Sequence, residues 1–305
     1  MSAKIPNSDL SSVAALLVVQ LLFGSLPVIA KVVLVEVPAI ALVGIRVLIV
    51  AFVLLAFQIY RKRVWLQTRA DYLRLAILGF FGVVLNQLLF IGGLSLTKAS
   101  NVSLLVITIP IFTLLVSALV GIERLTAFKI AAVGLAAAGA IILIDPANAS
   151  FSSATTLGDL MIILNSLAFS IYVATSKEVV TRNGAFRSMM WVFIFSSVIC
   201  VPLAIYSLSR TGITGISWNS WALILYISIF ATAVPYLLNA YAISHVSPAA
   251  VAIFIYLQPL IGFFLAAVFL DEMLDVRFVI ATVLVFIGVF LVTRRRSPSN
   301  LPAPA

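Results

Sequence analysis

Apolar runs recur along nearly the whole chain, each close to the roughly 20 residues that a helix needs to cross the hydrocarbon core of a bilayer, and short polar breaks separate them. Their period and length predict ten spanning helices, near 11–34, 39–60, 72–95, 101–120, 127–144, 158–177, 188–209, 221–243, 248–269 and 277–293. The clearest break is the Ser/Thr/Asn/Gly-rich stretch from Asp145 to Gly158, where Pro146 ends the preceding helix, so it reads as a linker between two halves. The tail from Arg294 has three prolines and no apolar period, and is expected to be disordered.

Composition makes the bilayer the solvent to reason in. Of 305 residues 63% are hydrophobic and only 10% charged, against about 25% charged in ordinary globular chains. The net charge of +9 lies mostly in the breaks: Arg61, Lys62, Arg63, Arg69, Arg74, Arg124, Lys129, Lys177, Arg182, Arg187 and Arg294–Arg296 fall on one side of the predicted topology, and Lys31, Lys98, Arg210 and Arg277 on the other. By the positive-inside rule this bias puts both termini in the cytoplasm. No basic face alternates with aromatics, so nucleic acid is not an expected partner. The first run follows only Lys4 and has no small-x-small cleavage site, and reads as a retained helix. The single cysteine, Cys200, sits inside an apolar run, which leaves no disulfide or zinc framework, and nothing in the pattern calls for a metal or cofactor.

The two halves repeat. Pro110 and Pro259, Glu123 and Glu272, Leu125 and Leu274, and Gly139 and Gly288 each stand 149 residues apart, while Phe23 and Phe169, and Lys31 and Lys177, stand 146 apart. Five helices per copy is an odd number, so the second copy crosses in the opposite sense, and loop charge agrees. Arg61–Arg63 follows helix two, whereas the matching loop after helix seven is nearly uncharged; Arg182 and Arg187 follow helix six and have no counterpart after helix one. The expected fold is therefore an all-α membrane protein of ten transmembrane helices arranged as two inverted five-helix repeats. Residues 1–145 would form the first repeat, and 146–305 the linker, the second repeat and the basic, proline-containing tail. Inverted repeats are characteristic of secondary transporters, whose halves rock to expose a midplane site to either side.

Phe23-Gly24-Ser25 with Lys31, Arg46, Ala99-Ser100-Asn101 leading to Pro110, Gly121-Ile122-Glu123, and Gly134 with Gly139 recur in order with Lys177, Pro248-Ala249-Ala250 leading to Pro259, Asp271-Glu272 and Gly288. With these motifs the chain resembles the drug/metabolite transporter superfamily, in particular its EamA-type members. The resemblance implies ten helices in two repeats and transport of a small metabolite such as an amino acid across a bacterial inner membrane. Val283 departs from it where the first copy has Gly134, which predicts looser packing of the last two helices there. Gln258 departs from it where many members carry an acid.

All ten acidic residues lie at the ends of spans or in loops. Cation efflux through a buried carboxylate, as in a multidrug pump, is therefore disfavoured, and a facilitator or exchanger is favoured over it. An intramembrane enzyme would need a nucleophile with a base, or paired acids, at the midplane. The chain offers a lone His245 at a helix end, so no catalytic residue is expected. A receptor or scaffold that moves nothing is the competing reading, and it leaves the duplicated prolines unexplained.

One intramembrane cation remains. Arg46 would cost about 3 kcal/mol if unpaired; either it attracts an anionic group of a substrate, or it snorkels to the outer interface or pairs with Glu36. Polar and aromatic side chains within spans outline a pocket for zwitterionic or amphipathic solutes: Gln20, Ser25, Asn86, Gln87, Asn165, Ser170, Tyr172, Tyr236, Asn239, Tyr256 and Gln258, with Tyr241 in prospect. Pro27, Pro110, Pro235 and Pro259 lie inside helices and should bend them or act as hinges, freeing the carbonyls of Phe23, Val106, Ala231 and Ile255. Glu123 and Glu272 should brace loops.

Overall fold

The structure is a computed structural model that describes residues 7–144, 152, 154–212, 215–261 and 276–294. Every regular element among them is helical. Most of the linker, the tail beyond Arg294, and Asp271 and Glu272 lie outside the described residues.

The elements are α1 (Asn7–Val33), α2 (Ala39–Tyr60), α3 (Arg69–Leu96), α4 in two pieces (Ala99–Leu105 and Thr108–Leu119), α5 (Ala127–Ile144), α6 (Thr156–Thr175), the short α7 (Lys177–Asn183), α8 (Ala185–Thr211), α9 (Trp218–His245), α10 (Pro248–Ile261) and α11 (Val276–Arg294). Eight of them are long and apolar enough to cross a membrane, and Pro248–Ile261 and Phe278–Val292 are shorter apolar stretches. Their punctuation is local chemistry. Ser217 accepts the Ser220 N–H to cap α9, Ser247 accepts the Ala250 N–H to cap α10, and Gly184, at φ +81°, turns the chain between α7 and α8.

Two helices are interrupted by a wide π-type turn, at Phe80–Leu85 in α3 and Ile229–Ala233 in α9. These turns also lie 149 residues apart. Pro235 follows the second, yet the matching position after the first is Asn86, so proline is not what creates the turn. In α9 the Thr232 hydroxyl donates to the Ile227 carbonyl at 2.8 Å. The helices before Pro110 and Pro259 tighten instead. α4 breaks at Val106–Ile107, and α10 passes through a 3₁₀ turn at Phe254–Tyr256. The Val106 carbonyl is not free as expected, because the Ile109 N–H donates to it at 3.0 Å, one residue short of the donor Pro110 lacks.

Contacts recur at the same offsets. Lys31 Nζ donates to the Thr97 carbonyl at 2.9 Å, and Lys177 Nζ to the Val246 carbonyl at 2.8 Å. α5 packs on α11 through reciprocal glycines: a Cβ at Gly139 would stand 2.9 Å from the Ala281 carbonyl oxygen, and one at Gly288 2.7 Å from that of Ala132. Gly134 has nothing within 4 Å of that position and Val283 is exposed, so both face away from this seam, and the valine does not loosen it.

α1 packs on α9, α2 on α8, and α3 and α4 on α6. The outward faces carry large apolar side chains along their length, among them Leu17, Val28, Phe52, Ile141, Val198, Ile205, Phe230 and Phe286. Water would penalise such a surface and a lipid bilayer would not.

Candidate functional site

Polar groups collect where α2, α3, α6 and α9 meet. Arg46, 2% exposed, points its Nε at the Thr232 hydroxyl oxygen, 3.1 Å away in the π turn of α9. Thr232 has already given its own proton to Ile227, so it acts only as an acceptor here. Arg46 Nη1 is buried with no hydrogen-bond partner.

Tyr236 ties α9 to α3. Its hydroxyl donates to the Gly82 carbonyl at 2.6 Å and also lies 3.0 Å from Asn86 Oδ1. The widened turn at Phe80–Leu85 is what presents that carbonyl sideways. Gly82 is required there for a second reason, since a Cβ would come within 2.5 Å of the Tyr172 ring. Asn165 of α6 donates to the Asn86 carbonyl at 2.7 Å. Gln87 sits beside the Tyr236 hydroxyl, and neither of its polar atoms has a partner in hydrogen-bonding geometry. Asn239 Oδ1 is likewise buried and unpartnered.

Rings surround this centre. The Tyr236 ring meets Phe193 at 5.2 Å, Phe23 at 6.1 Å and Tyr172 at 6.3 Å, and Phe169 stands 5.8 Å from Tyr172. The Tyr172 hydroxyl reaches Met189 Sδ at 3.4 Å.

Of the residues picked out by sequence, Arg46, Asn86, Gln87, Asn165, Tyr172, Tyr236 and Asn239 fall in or beside this cluster. Gln20 and Gln258 form a separate pair, with Gln258 Nε2 donating to Gln20 Oε1 at 2.8 Å, and the Tyr256 hydroxyl is buried without a partner. Ser25 turns onto its own helix at Leu22. Ser170 donates to Ile109 of α4 and to Ser166. Tyr241 is away from the cluster: its hydroxyl meets Ser11, and its ring packs on His245. Pairing of Arg46 with Glu36 does not occur, because Glu36 accepts the Ser217 N–H at 2.8 Å. Nor does Arg46 snorkel to an interface. Thr232 and Phe193 were missing from the sequence reading, and Phe23 was read there as a repeat and motif residue, not as part of the site. For Thr232 a signal existed, since Thr232, Tyr236 and Asn239 lie at i, i+4 and i+7 on one helix face.

Outside the spans, Glu123 accepts the Ala249 N–H at 3.0 Å, at the start of α10, and pairs with Lys129, which is the bracing role expected of it. Lys177 is half-buried, and loss of hydration lowers its pKa.

The model of the EamA-like transporter family matches residues 10–145 and again 156–294. The chain belongs to the EamA-like transporter family. An uncharacterized transporter of Archaeoglobus fulgidus is 25% identical over 252 residues, covering 82% of this chain and 86% of its own length. The uncharacterized transporter YetK of Bacillus subtilis is 23% identical over 284 residues, covering 92% of this chain and 86% of its own. A solved crystal structure superimposes with a TM-score of 0.73 over 94% of this chain and 97% of the other, at 17% identity, which is a likeness of fold. The protein is thus a multi-pass membrane transporter of the drug/metabolite superfamily.

Proposed function

We propose that this EamA-like transporter is a secondary transporter that exports or exchanges small metabolites such as amino acids by alternating access. Its halves, residues 1–145 and 146–305, act as inverted five-helix repeats in the inner membrane with both termini cytoplasmic. The solute sits between them near the bilayer midplane, among Arg46, Gln20, Ser25, Asn86, Gln87, Asn165, Ser170, Tyr172, Tyr236, Asn239, Tyr256 and Gln258.

The observation that carries this reading is the recurrence of contacts at the two repeat offsets of 146 and 149 residues. The lysine–carbonyl ties at Lys31 and Lys177, the π turns at Phe80 and Ile229 and the glycine seam of α5 and α11 each occur twice. Near-equivalent halves have near-equal packings available on either side of the membrane, which is what rocking requires. The breaks before Pro110 and Pro259 are the hinge candidates, joined by Pro27 and by Pro235 beside its π turn. A drug pump driven through a buried acid is not favoured, because the buried Asp71 and Asp159 are committed to Arg182 and Asn183 and to Thr97 and Asn101, and no carboxylate of a described residue lies within 4 Å of the central cation.

Reconstituted into liposomes preloaded with amino acids, sugars or nucleotides, the protein should exchange labelled solute of at least one class. Absence of counterflow for all of them would end the transport mechanism proposed here.

A further inference from the structure

Arg46 is held by one neutral acceptor and has an Nη1 group that is buried without a partner. The acid nearest in sequence, Glu36, is committed to Ser217. No carboxylate of any described residue lies within 4 Å of the guanidinium. A buried guanidinium with an unanswered Nη1 is a costly arrangement that the described residues do not resolve. The complementary group must come from elsewhere, and the planar fork of arginine matches a carboxylate in a two-point hydrogen bond.

We infer that Arg46 anchors a carboxylate subsite, so the solute is a small carboxylate-bearing molecule, neutral overall or singly negative, and not an organic cation. This deepens the transport reading above and rests on it. The neighbouring chemistry fits the rest of such a molecule. Asn239 Oδ1 is buried and unpartnered, and Gln87 is buried beside the Tyr236 hydroxyl, so both offer neutral polar atoms to an amino or hydroxyl group without a competing negative charge. Thr232, Tyr236 and Asn239 share one face of α9, and Phe23 and Phe193 box the Tyr236 ring, so polar contacts are confined to one wall beside a rigid apolar one.

The test compares carboxylates with their own carboxamides, which keep the shape and remove the charge. The twenty proteinogenic amino acids, lactate and propionate, each paired with its carboxamide, are assayed twice: by thermal unfolding of the purified protein, and by counterflow in liposomes. At least one carboxylate should raise the unfolding midpoint and exchange on the order of ten-fold or more faster than its carboxamide. Arg46→Gln should collapse that ratio toward one. Should Arg46→Gln fail to elute as a monodisperse species, Arg46→Lys, which keeps the charge and loses the fork, should retain an intermediate ratio.

Equal handling of acid and amide by the wild type, a preserved preference in Arg46→Gln, or no response to any carboxylate in the panel would overturn the subsite. So would an equal stabilisation by chloride alone, which would mark an inorganic anion site. Binding of a carboxylate through Arg46 with no flux would leave the subsite standing and sink the transport reading. Flux without any acid preference would do the reverse.

Discussion

At the end of the molecule that carries Arg61–Arg63, the start of α3 meets α7 through a buried acid. Arg182 Nη2 and Nε donate to the two oxygens of Asp71 at 2.6 and 3.1 Å, and Asn183 Nδ2 adds a third bond at 2.9 Å. At the opposite end the positions equivalent by the repeat offsets are Glu36, Val37 and Ser220, and there the contact is an exposed Glu36 carboxylate on the Ser217 N–H. A second seam runs the other way. At the end away from Arg61–Arg63, the outer one in the topology proposed above, Thr97 and Asn101 donate to the buried Asp159, whereas the counterparts at the proposed inner end are Val246, Ala250 and Val13. Among the described residues the buried Asp71 is thus answered by a guanidinium at one end and the buried Asp159 by neutral donors at the other, while Glu123, buried at the Arg61–Arg63 end, pairs with Lys129. In the alternating access proposed above, the two ends would thus differ in what it costs to open each. The inner closure is an ion pair with a bidentate geometry, and its loss leaves a charge stranded.

Substitutions should rank accordingly. The largest effect belongs to Arg182→Met, which leaves the fully buried Asp71 carboxylate without its guanidinium at a cost of about 3 kcal/mol. It should lower the unfolding midpoint and be rescued by adding Asp71→Asn; a double variant no better than the single one would break the pairing argument. Asp159→Ala comes next, losing two charge-assisted hydrogen bonds for about 2 kcal/mol, and should loosen the outer end alone in hydrogen exchange. Protection lost equally at α7 would blur the distinction between the ends.

Acid should act third. The Arg74 hydrogen bond holds the Glu178 carboxyl below its ordinary value of 4.5, so the stability it lends is complete above that value and is lost as pH falls through the lowered pKa. Glu178 is two-thirds exposed, so the change is small, and Glu178→Gln should flatten that part of the acid titration. Last is Glu36→Gln. Its amide oxygen still accepts the Ser217 N–H, and the unfolding midpoint should stay within the scatter of the wild type.

Much of the fold was legible. Apolar runs predicted 72–95 and 221–243, and the helices are Arg69–Leu96 and Trp218–His245. The offset of 149 read from Pro110 and Pro259 also relates the two π turns and the glycine seam, in the two stretches that the family model matches. The π turns themselves were not legible, since an extra residue in one helical turn leaves no mark in a hydrophobic run. Partner choice was equally hidden. Glu36 stands ten residues from Arg46 and bonds to a residue 181 positions away, a pairing decided by helix packing rather than by spacing. Asp71 and Arg182 read as loop charges for the same reason. For the candidate site, residue type predicted burial well: Gln20, Gln87, Asn165 and Asn239 are all buried. It did not separate helix-to-helix ties such as Asn165 from atoms left unanswered such as Asn239 Oδ1.

Alternating opening of the two ends is tested most directly by measuring both at once. In a Cys200→Ser background, spin labels at Val35 and Trp218 report the outer end, and labels at the equivalent exposed positions Thr181 and Arg69 report the inner one. Distances measured by pulsed electron resonance in liposomes should be anticorrelated: Arg182→Met lengthens the inner distance and shortens the outer, and Asp159→Ala does the opposite. Lengthening of both pairs together, or no response of either, would contradict the account.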